Sequence, residues 1–244
     1  MSRRDEILSA VSSTPIGWRH PIEIEGVPVP ADPRHAAHTR WMLECMKLPE
    51  SMAGETVLDI GCSDGFFAFE AEKRGASRVV GIDSWWGAGP VKAKAADYDS
   101  GDDRQRRDVT SSNFFTAHRL LSSKVEFYEA DIQRIDATPE LRDARFSTIF
   151  FLGVYYHLEN ILQGFKDVRK LCEGRVFVEG EVERKSDLPV MEFLGKPHDI
   201  QWKPTVPCLV KMLERCGFSN VRRIGDEASR VMLEATVRER SIPP

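Results

Sequence analysis

One short stretch, Val57 to Phe67, constrains the fold more than any other part of the chain, and it reads VLDIGCSDGFF. It passes from apolar residues through Asp59 into a turn with Gly61 and Gly65, and then into an apolar, helix-like segment. A buried parallel strand reads as a short apolar run, and a helix that begins directly after it points free backbone N–H groups beyond the strand's end. We therefore expect the glycines to permit close approach of a ligand, although glycine can also serve the backbone of a strand-to-helix turn alone.

The spacing of this turn excludes two common nucleotide-binding motifs. Cys62, Ser63 and Asp64 separate Gly61 from Gly65, so the turn is not the G-x-G-x-x-G of dinucleotide-binding proteins. It is not a phosphate-binding loop either, because no Gly-Lys-Ser/Thr follows. We expect the small thiol of Cys62 to pack in the turn rather than to react.

Strand-like and helix-like patterns alternate from Val57 onward. Further strands are predicted at Arg78–Asp83, at KVEFYEAD ending with Asp131, and at FSTIFFLG, RVFVEGE, NVRRIGD and SRVMLEATV. Helices are predicted after the glycine turn and at FFTAHRLL, NILQGFKDVRKLC and PCLVKMLERCG. This alternation predicts an α/β fold with a mostly parallel sheet and helices on both faces.

Two segments do not follow the alternation. Residues 1–52 include the proline-rich IEGVPVPADP, and we expect them to lie across the core as an N-terminal cap. Residues 53–240 then form the main domain. Within it, residues 85–112 are far longer than an ordinary strand-to-helix connection, which indicates a lid-like insertion.

Composition narrows the classes of partner. A chain of 244 residues with 41% hydrophobic residues can bury a full core, and its net charge of −4 supplies no basic surface for nucleic acid. The five cysteines form no C-x-x-C pair, and His35 and His38 have no accompanying carboxylate or thiol cluster, so we predict no metal site. No long apolar segment is present, so we expect a cytoplasmic protein with a small-molecule partner and no membrane contact. The oligomeric state is left open.

Aspartates lie at the ends of two predicted strands. Asp83 can accept two hydrogen bonds from a ribose diol, and Asp131 can accept one from the exocyclic amine of a purine. Each aspartate alone is as readily a helix cap or a turn residue. Their order after the glycine turn favours a nucleotide-like cofactor.

The chain resembles a known family at several motifs. VLDIGCSDG, VVGID, EAD and IFFLGVYYHL together resemble the class I methyltransferases that use S-adenosylmethionine (SAM), over about residues 53–237. GWRHPIEIEGVPV, LGVYYHL and WKPTVPCLVKMLERCGF further resemble the tRNA wobble-uridine carboxymethyltransferase family and its small-molecule relatives. The resemblance implies a Rossmann-like fold with a mostly parallel, seven-stranded sheet, and SAM as the cofactor.

The resemblance also implies which residues contact SAM. They lie beneath the cofactor and around its ribose, its adenine, its methionine tail and the group that it transfers. The cofactor-binding residues that it implies are Asp59, Gly61, Cys62, Gly65, Asp83, Ser84, Trp85, Asp131, Ile132, Leu152, Gly153 and Arg230.

Departures from the family pattern bear on the substrate. The tRNA enzymes use a carboxylated SAM, whose carboxylate needs cationic partners, and two family lysines correspond to His20 and His38 here. Neutral imidazoles would bind a carboxylate poorly near neutral pH. We therefore expect methyl transfer from SAM to the oxygen or nitrogen of a small metabolite. The alternatives are a tRNA wobble-uridine (carboxy)methyltransferase and a non-catalytic, methyltransferase-like binding subunit.

Candidate catalytic residues follow from the chemistry. Methyl transfer from a sulfonium needs alignment of the nucleophile and often a base. His157, after the fourth predicted strand, is the first candidate base, and Tyr156 beside it could orient the acceptor or simply pack. Glu179 could accept a hydrogen bond from the substrate, and His20 and His38 lie where the family binds the transferred group.

Overall fold

The structure is a computed structural model that describes residues 1–84, 103–196 and 200–237. It begins with an N-terminal segment made of α1 (Arg3–Ser12), the short strands β1 (Glu23–Ile24) and β2 (Val27–Pro28), and α2 (Pro33–Met46). A capping box starts α1, in which the Ser2 hydroxyl accepts from the Asp5 N–H and the Asp5 carboxylate accepts from the Ser2 N–H.

The chain then alternates between strands and helices, as the sequence predicts. These elements are β3 (Thr56–Ile60), α3 (Phe66–Lys73), β4 (Arg78–Asp83), α4 (Asp103–Leu120), β5 (Glu126–Glu129), a 3₁₀ helix (Ile132–Ala137), α5 (Pro139–Arg142), β6 (Phe146–Leu152), a 3₁₀ turn (Tyr155–His157), α6 (Ile161–Leu171) and β7 (Cys172–Glu181). The last part contains β8 (Met191–Phe193), β9 (Trp202–Pro204), α7 (Val206–Arg215), β10 (Phe218–Glu227) and β11 (Arg230–Val237).

In the described residues, seven strands form one sheet in the order β10-β11-β7-β6-β3-β4-β5. The pairs β3–β4, β3–β6, β4–β5 and β6–β7 are parallel, whereas β11 runs antiparallel to both β7 and β10. The predicted mostly parallel, seven-stranded sheet is therefore confirmed. The order reverses at β3, and the carboxyl ends of β3, β4 and β6 meet at that point.

Helices cover both faces of the sheet, and alternating strand residues divide between the two layers. Leu58 and Phe151 point into a core that α6 and α7 cover, whereas Val57 and Phe150 point into a core that α1, α2, α3 and α4 cover. The N-terminal segment contributes Ile7, Trp18 and Met42, among others, to the second core. It therefore packs on one face of the sheet. Among the described helices, none has the length and apolar character of a membrane span.

Two predicted boundaries differ from the structure. The third strand was expected to end at Asp131, but β5 ends at Glu129, because Asp131 accepts from the Gln133 N–H and starts a 3₁₀ helix. The predicted insertion, residues 85–112, overlaps α4, which already begins at Asp103. Residues 85–102, the rest of the predicted lid, lie outside the described residues.

Candidate functional site

A cavity of about 410 Å³ lies at the carboxyl ends of β3, β6 and β7, where the N-terminal segment meets the sheet. On the turn side, which comprises residues 59–67 and Asp83, the lining residues are Asp59, Gly61, Cys62, Ser63 and Phe67. On the cap side, which comprises residues 19–42 with Glu179, Glu227 and Arg230, they are Arg19, His20, His35, His38, Thr39, Met42, Glu179 and Arg230. Between the two sides lie Leu152, Gly153, Tyr156, His157 and Ile200.

Backbone groups hold the glycine turn tightly against β4. The N–H groups of Gly61 and Cys62 both donate to the Ile82 carbonyl, at 2.8 and 3.1 Å. Gly61 has a φ of 73°, and a Cβ added there would lie 2.5 Å from Cγ2 of Val154. Glycine is therefore required at position 61 by both the backbone and the close approach of the chain that follows β6.

Gly65, which the resemblance implies as a cofactor contact, has a packing role in the structure. Its φ is 86°, and an added Cβ would lie 2.5 Å from the Phe69 ring and 2.7 Å from the Phe114 ring. It lies behind the turn, outside the residues that line the cavity. Its lack of a side chain serves core packing at the start of α3.

Two carboxylates lie beneath the turn, and burial changes their protonation. Asp59 is 2% exposed and accepts from the Ala68 N–H at 3.1 Å, and burial raises its pKa to about 8. Asp83 accepts from the Ser63 N–H at 2.9 Å, and burial raises its pKa to about 6 although this hydrogen bond opposes the shift. The turn side thus keeps Asp59 largely uncharged at neutral pH, whereas Asp83 is mostly ionised.

The predicted adenine contacts do not line the cavity. Asp131 caps the 3₁₀ helix that follows β5, and Ile132 is 4% exposed within the core. Asp83 and Ser84, the predicted ribose contacts, are also not among the lining residues, although Asp83 bonds to Ser63, which is; Trp85 falls outside the described residues.

The end of β6 supplies the floor between the two sides. Leu152 and Gly153 line the cavity, and Gly153 has a φ of 73°. A Cβ added to Gly153 would lie 3.6 Å from the Tyr156 hydroxyl, which is ordinary contact, so the backbone here is open to the cavity. Burial raises the pKa of Tyr156, and the centroid of its ring lies 4.2 Å from that of His157.

On the cap side, Arg230 is bound by two carboxylates. Its Nε and Nη2 donate to the two carboxylate oxygens of Glu179 at 2.5 and 2.9 Å, and its Nη1 donates to Glu181 at 3.0 Å. Nη2 also donates to the Tyr156 hydroxyl at 3.1 Å. Glu179 is 1% exposed, and burial alone would raise its pKa, but the neighbouring His38 and the hydrogen bonds from Arg230 outweigh burial and hold the pKa below its usual value.

His38 lies between two carboxylates. Its Nδ1 is hydrogen-bonded to Glu227, and its Nε2 lies 3.2 Å from Glu179 Oε1, which is ion-pair distance without hydrogen-bond geometry. Burial lowers its pKa, but the two carboxylates more than compensate and the net shift is upward. The surroundings of His38 thus favour protonation more than the sequence alone indicated. When the ring is protonated, two carboxylates already offset its charge.

His20 is held by a residue of the glycine turn. Its Nδ1 lies 2.6 Å from Asp64 Oδ1, while the backbone N–H groups of Arg19 and His20 donate to Asp64 Oδ2 at 3.1 and 2.9 Å. Asp64 is 3% exposed, and its burial would raise its pKa, but the charge and hydrogen bonds of His20 hold the pKa below its usual value. This contact joins the cap side to the turn side.

The sequence alone indicated no role for Arg19 or Asp64, and His35 was considered only as a possible metal ligand. Arg19 is exposed at the cavity, and its charge lowers the pKa of Asp64. Burial, with a contribution from Arg19, lowers the pKa of His35. The one available signal was position: Asp64 lies between the turn glycines, and Arg19 precedes His20 in the GWRH motif. Within the described ranges, no group of histidines, cysteines and carboxylates has the arrangement of a metal site.

Comparisons with known proteins agree with the resemblance. No family model matches the sequence. The chain is 26% identical over 237 residues to the tRNA U34 carboxymethyltransferase of Alcanivorax borkumensis, which covers 93% of this chain and 65% of that protein. The relative from Edwardsiella ictaluri, with the same name, is 24% identical and is covered over 57% of its length. The chain thus spans about half to two thirds of the curated relatives that it matches.

Solved structures identify the fold. The N-terminal domain of EvdMO1 with SAH bound superposes with a TM-score of 0.66 at 14% identity, over 98% of both chains. The magnesium protoporphyrin IX methyltransferase of Synechocystis with SAH bound gives 0.55 at 15% identity, over 84% of this chain and 85% of that one. The fold is that of the Rossmann-like class I methyltransferases, as the sequence predicts.

Proposed function

We propose that this protein transfers the methyl group of SAM to a small-molecule acceptor. The observation that carries the proposal is the cavity at the reversal point of a class I methyltransferase sheet, with a glycine turn on one side and ionisable side chains on the other. Solved proteins of the same fold hold SAH, and the curated relatives are named as transferases. The cavity, at about 410 Å³, lies toward the lower end of the roughly 300–1,000 Å³ of ligand pockets.

The residues of the turn side fit SAM. Gly61 and Gly153 both line the cavity, and because neither has a side chain, a ligand can approach the backbone at both positions. Asp83 has one oxygen bound to the Ser63 N–H, which leaves acceptor capacity for ribose hydroxyls. When bound, SAM supplies a methyl group on a positively charged sulfur. The protein's part is to orient an acceptor against it and to exclude water.

The cap side favours SAM over the carboxylated cofactor. A carboxylate on the transferred group would need an unpaired cation in a partly desolvated site. Arg230 is already bound to Glu179 and Glu181, and His38 lies between Glu179 and Glu227. An additional negative charge at this part of the cap side would meet cations that carboxylates already offset, whereas Arg19, on the same side, is exposed.

Calorimetry with SAM and its carboxylated analogue at pH 8 tests this proposal. We expect SAM to bind at least tenfold more tightly. Glu179→Gln, which frees Arg230 from one carboxylate charge, should narrow the difference. Glu234→Gln removes the carboxylate of an exposed pair with Arg222 and is the matched control, which should change neither affinity. Tighter binding of the carboxylated analogue by the wild-type protein would contradict the proposal.

A second candidate, modification of a tRNA wobble uridine, is favoured by the names of the curated relatives. It requires RNA binding with a steep salt dependence, because phosphate contacts release counterions. Filter binding with total tRNA between 50 and 200 mM salt distinguishes the two. Submicromolar affinity that falls steeply with salt would support the tRNA candidate, and weak binding would favour a small acceptor.

A further inference from the structure

His20 is held more rigidly than a solvated surface histidine. Its Nδ1 is hydrogen-bonded to Asp64, and its own backbone N–H donates to the same carboxylate. The ring also stacks on Phe66, with centroids 5.6 Å apart, and meets Phe67 edge-on. The side chain is 12% exposed, and it lines the cavity.

The partner of Nδ1 determines the tautomer of the ring. A carboxylate accepts hydrogen bonds only, so the neutral imidazole must carry its proton on Nδ1 and leave the lone pair on Nε2. Nε2 makes no hydrogen bond to any of the described residues. It is also absent from the buried polar atoms that lack a partner, so it is accessible. The lone pair is thus available to a group in the cavity.

We infer that His20 is the general base that takes the proton of a hydroxyl acceptor, and that Asp64 is the residue that positions it. The inference rests on the proposed methyl transfer and narrows its substrate to an alcohol or a phenol. The acceptor oxygen forms a bond to the methyl carbon as the sulfur–methyl bond breaks, and the electrons of the broken bond stay on sulfur. The hydroxyl proton passes to His20 Nε2, and the resulting imidazolium faces the Asp64 carboxylate.

Two other ionisable groups of the cavity, Glu179 and His38, are less suited to this role. Glu179 is bonded bidentately by Arg230, and both ring nitrogens of His38 face carboxylates, so neither is open to an acceptor. The charged or titratable groups around His20 are Asp64 from the turn, the adjacent Arg19, and His35 from α2. Arg19 opposes the accumulation of positive charge on His20, so the paired Asp64 is needed to stabilise the imidazolium.

The bonding of Asp64 makes an unusually selective test possible. In Asp64→Asn, the two backbone donors of residues 19 and 20 should bind the amide oxygen, which turns the amide NH₂ toward His20 Nδ1. Nδ1 must then accept, so the ring proton moves to Nε2 and the base is lost without loss of the side chain. Nitrogen-15 NMR of histidine-labelled protein at pH 8 reads the tautomer directly, with His20→Gln to assign the signal.

We expect an Nδ1–H tautomer for His20 in the wild-type protein and an Nε2–H tautomer in Asp64→Asn. An Nε2–H tautomer in the wild-type protein, or no change in Asp64→Asn, would overturn the inference. The readout needs neither cofactor nor acceptor. If SAM fails to bind, the proposed function fails separately, whatever the tautomer.

The kinetic arm uses methyl-labelled SAM and a low-molecular-weight metabolite extract as the probe. His20→Gln should lower label transfer about 10²-fold or more with SAM affinity unchanged, and Asp64→Asn should lower it by a similar factor at saturating SAM, because Asp64 belongs to the turn. His118→Gln is the control, because that ring is bound to the Val125 carbonyl away from the cavity. Normal transfer by His20→Gln with loss in His157→Gln would assign the base to His157 and overturn the inference. If the wild-type protein transfers no label, the tautomer measurement alone decides.

Discussion

The two sides of the cavity are built in opposite ways. On the turn side, contiguous residues present backbone groups, and burial raises the pKa values of Asp59 and Asp83 because little cationic charge opposes it. On the cap side, side chains from distant parts of the chain form ion pairs. The pKa of Glu179 is lowered there although the residue is only 1% exposed. Burial therefore has opposite outcomes on the two sides, and the presence of a charged partner decides which outcome occurs.

The largest effect should come from breaking the cap side. Arg230→Met leaves the buried Glu179 carboxylate without its bidentate partner, and we expect the free energy of unfolding to fall by about 3 kcal/mol. Arg222→Met is the matched control, because that arginine is 68% exposed in its pair with Glu234 and should contribute less than about 1 kcal/mol. If urea denaturation gave equal losses in the free energy of unfolding for the two variants, burial of the Arg230 ion pairs would not matter for stability.

The next largest effect should come from distorting the turn side. Gly61→Ala combines a φ of 73° with a contact of 2.5 Å to Val154, so the turn must shift, and we expect SAM affinity to fall by about 2 kcal/mol. Gly75→Ala has a similar φ of 82° but no atom within 4 Å of the added Cβ. It should lower stability slightly and leave SAM affinity unchanged in calorimetry. Unchanged affinity in Gly61→Ala would separate the turn from cofactor binding.

The smallest effect on SAM affinity should come from Asp83, and its dependence on pH tests whether the turn side differs from the cap side in protonation. The ionised carboxylate accepts hydrogen bonds from ribose hydroxyls, so Asp83→Asn should weaken SAM binding by about 1–2 kcal/mol at pH 8. Burial raises the pKa of Asp83 to about 6, so the affinity of the wild-type protein should decline as pH falls through that value. Calorimetry at pH 8, 7, 6 and 5 should show a flatter profile for Asp83→Asn.

A surface variant is the control for this pH series. Asp136→Asn removes an exposed carboxylate that pairs with Lys170, and it should keep the wild-type profile. A pH-independent affinity in the wild-type protein would place Asp83 outside the cofactor site.

The turn side could be predicted from the sequence because its information is local. Strand, aspartate and glycines follow one another from Val57, and β4 was predicted with its exact bounds, Arg78–Asp83. Local reasoning could not foresee the packing at Gly65, since the Phe114 ring that leaves no room for a side chain there comes from another helix. It also extended β5 to Asp131, which instead caps a 3₁₀ helix.

The cap side could not be predicted in the same way because its contacts are not local. The resemblance indicated His20, His38 and Arg230 as site residues, but it carried no information on their partners in this chain. His38 and Glu227 are 189 positions apart, and no periodicity connects them. The pKa of His38 depends on that contact and on Glu179, and neither partner could be read from the residues around position 38.

The position of β11 has a consequence for how the protein is made. β11 lies between β7 and β10, and its first residue, Arg230, pairs with Glu179 near the end of β7. During translation, β11 leaves the ribosome after every other strand of the sheet. A nascent chain that ends before β11 has an open sheet edge at β7 and a Glu179 carboxylate without its arginine, so the cap side of the cavity is completed only when the last strand of the sheet is made.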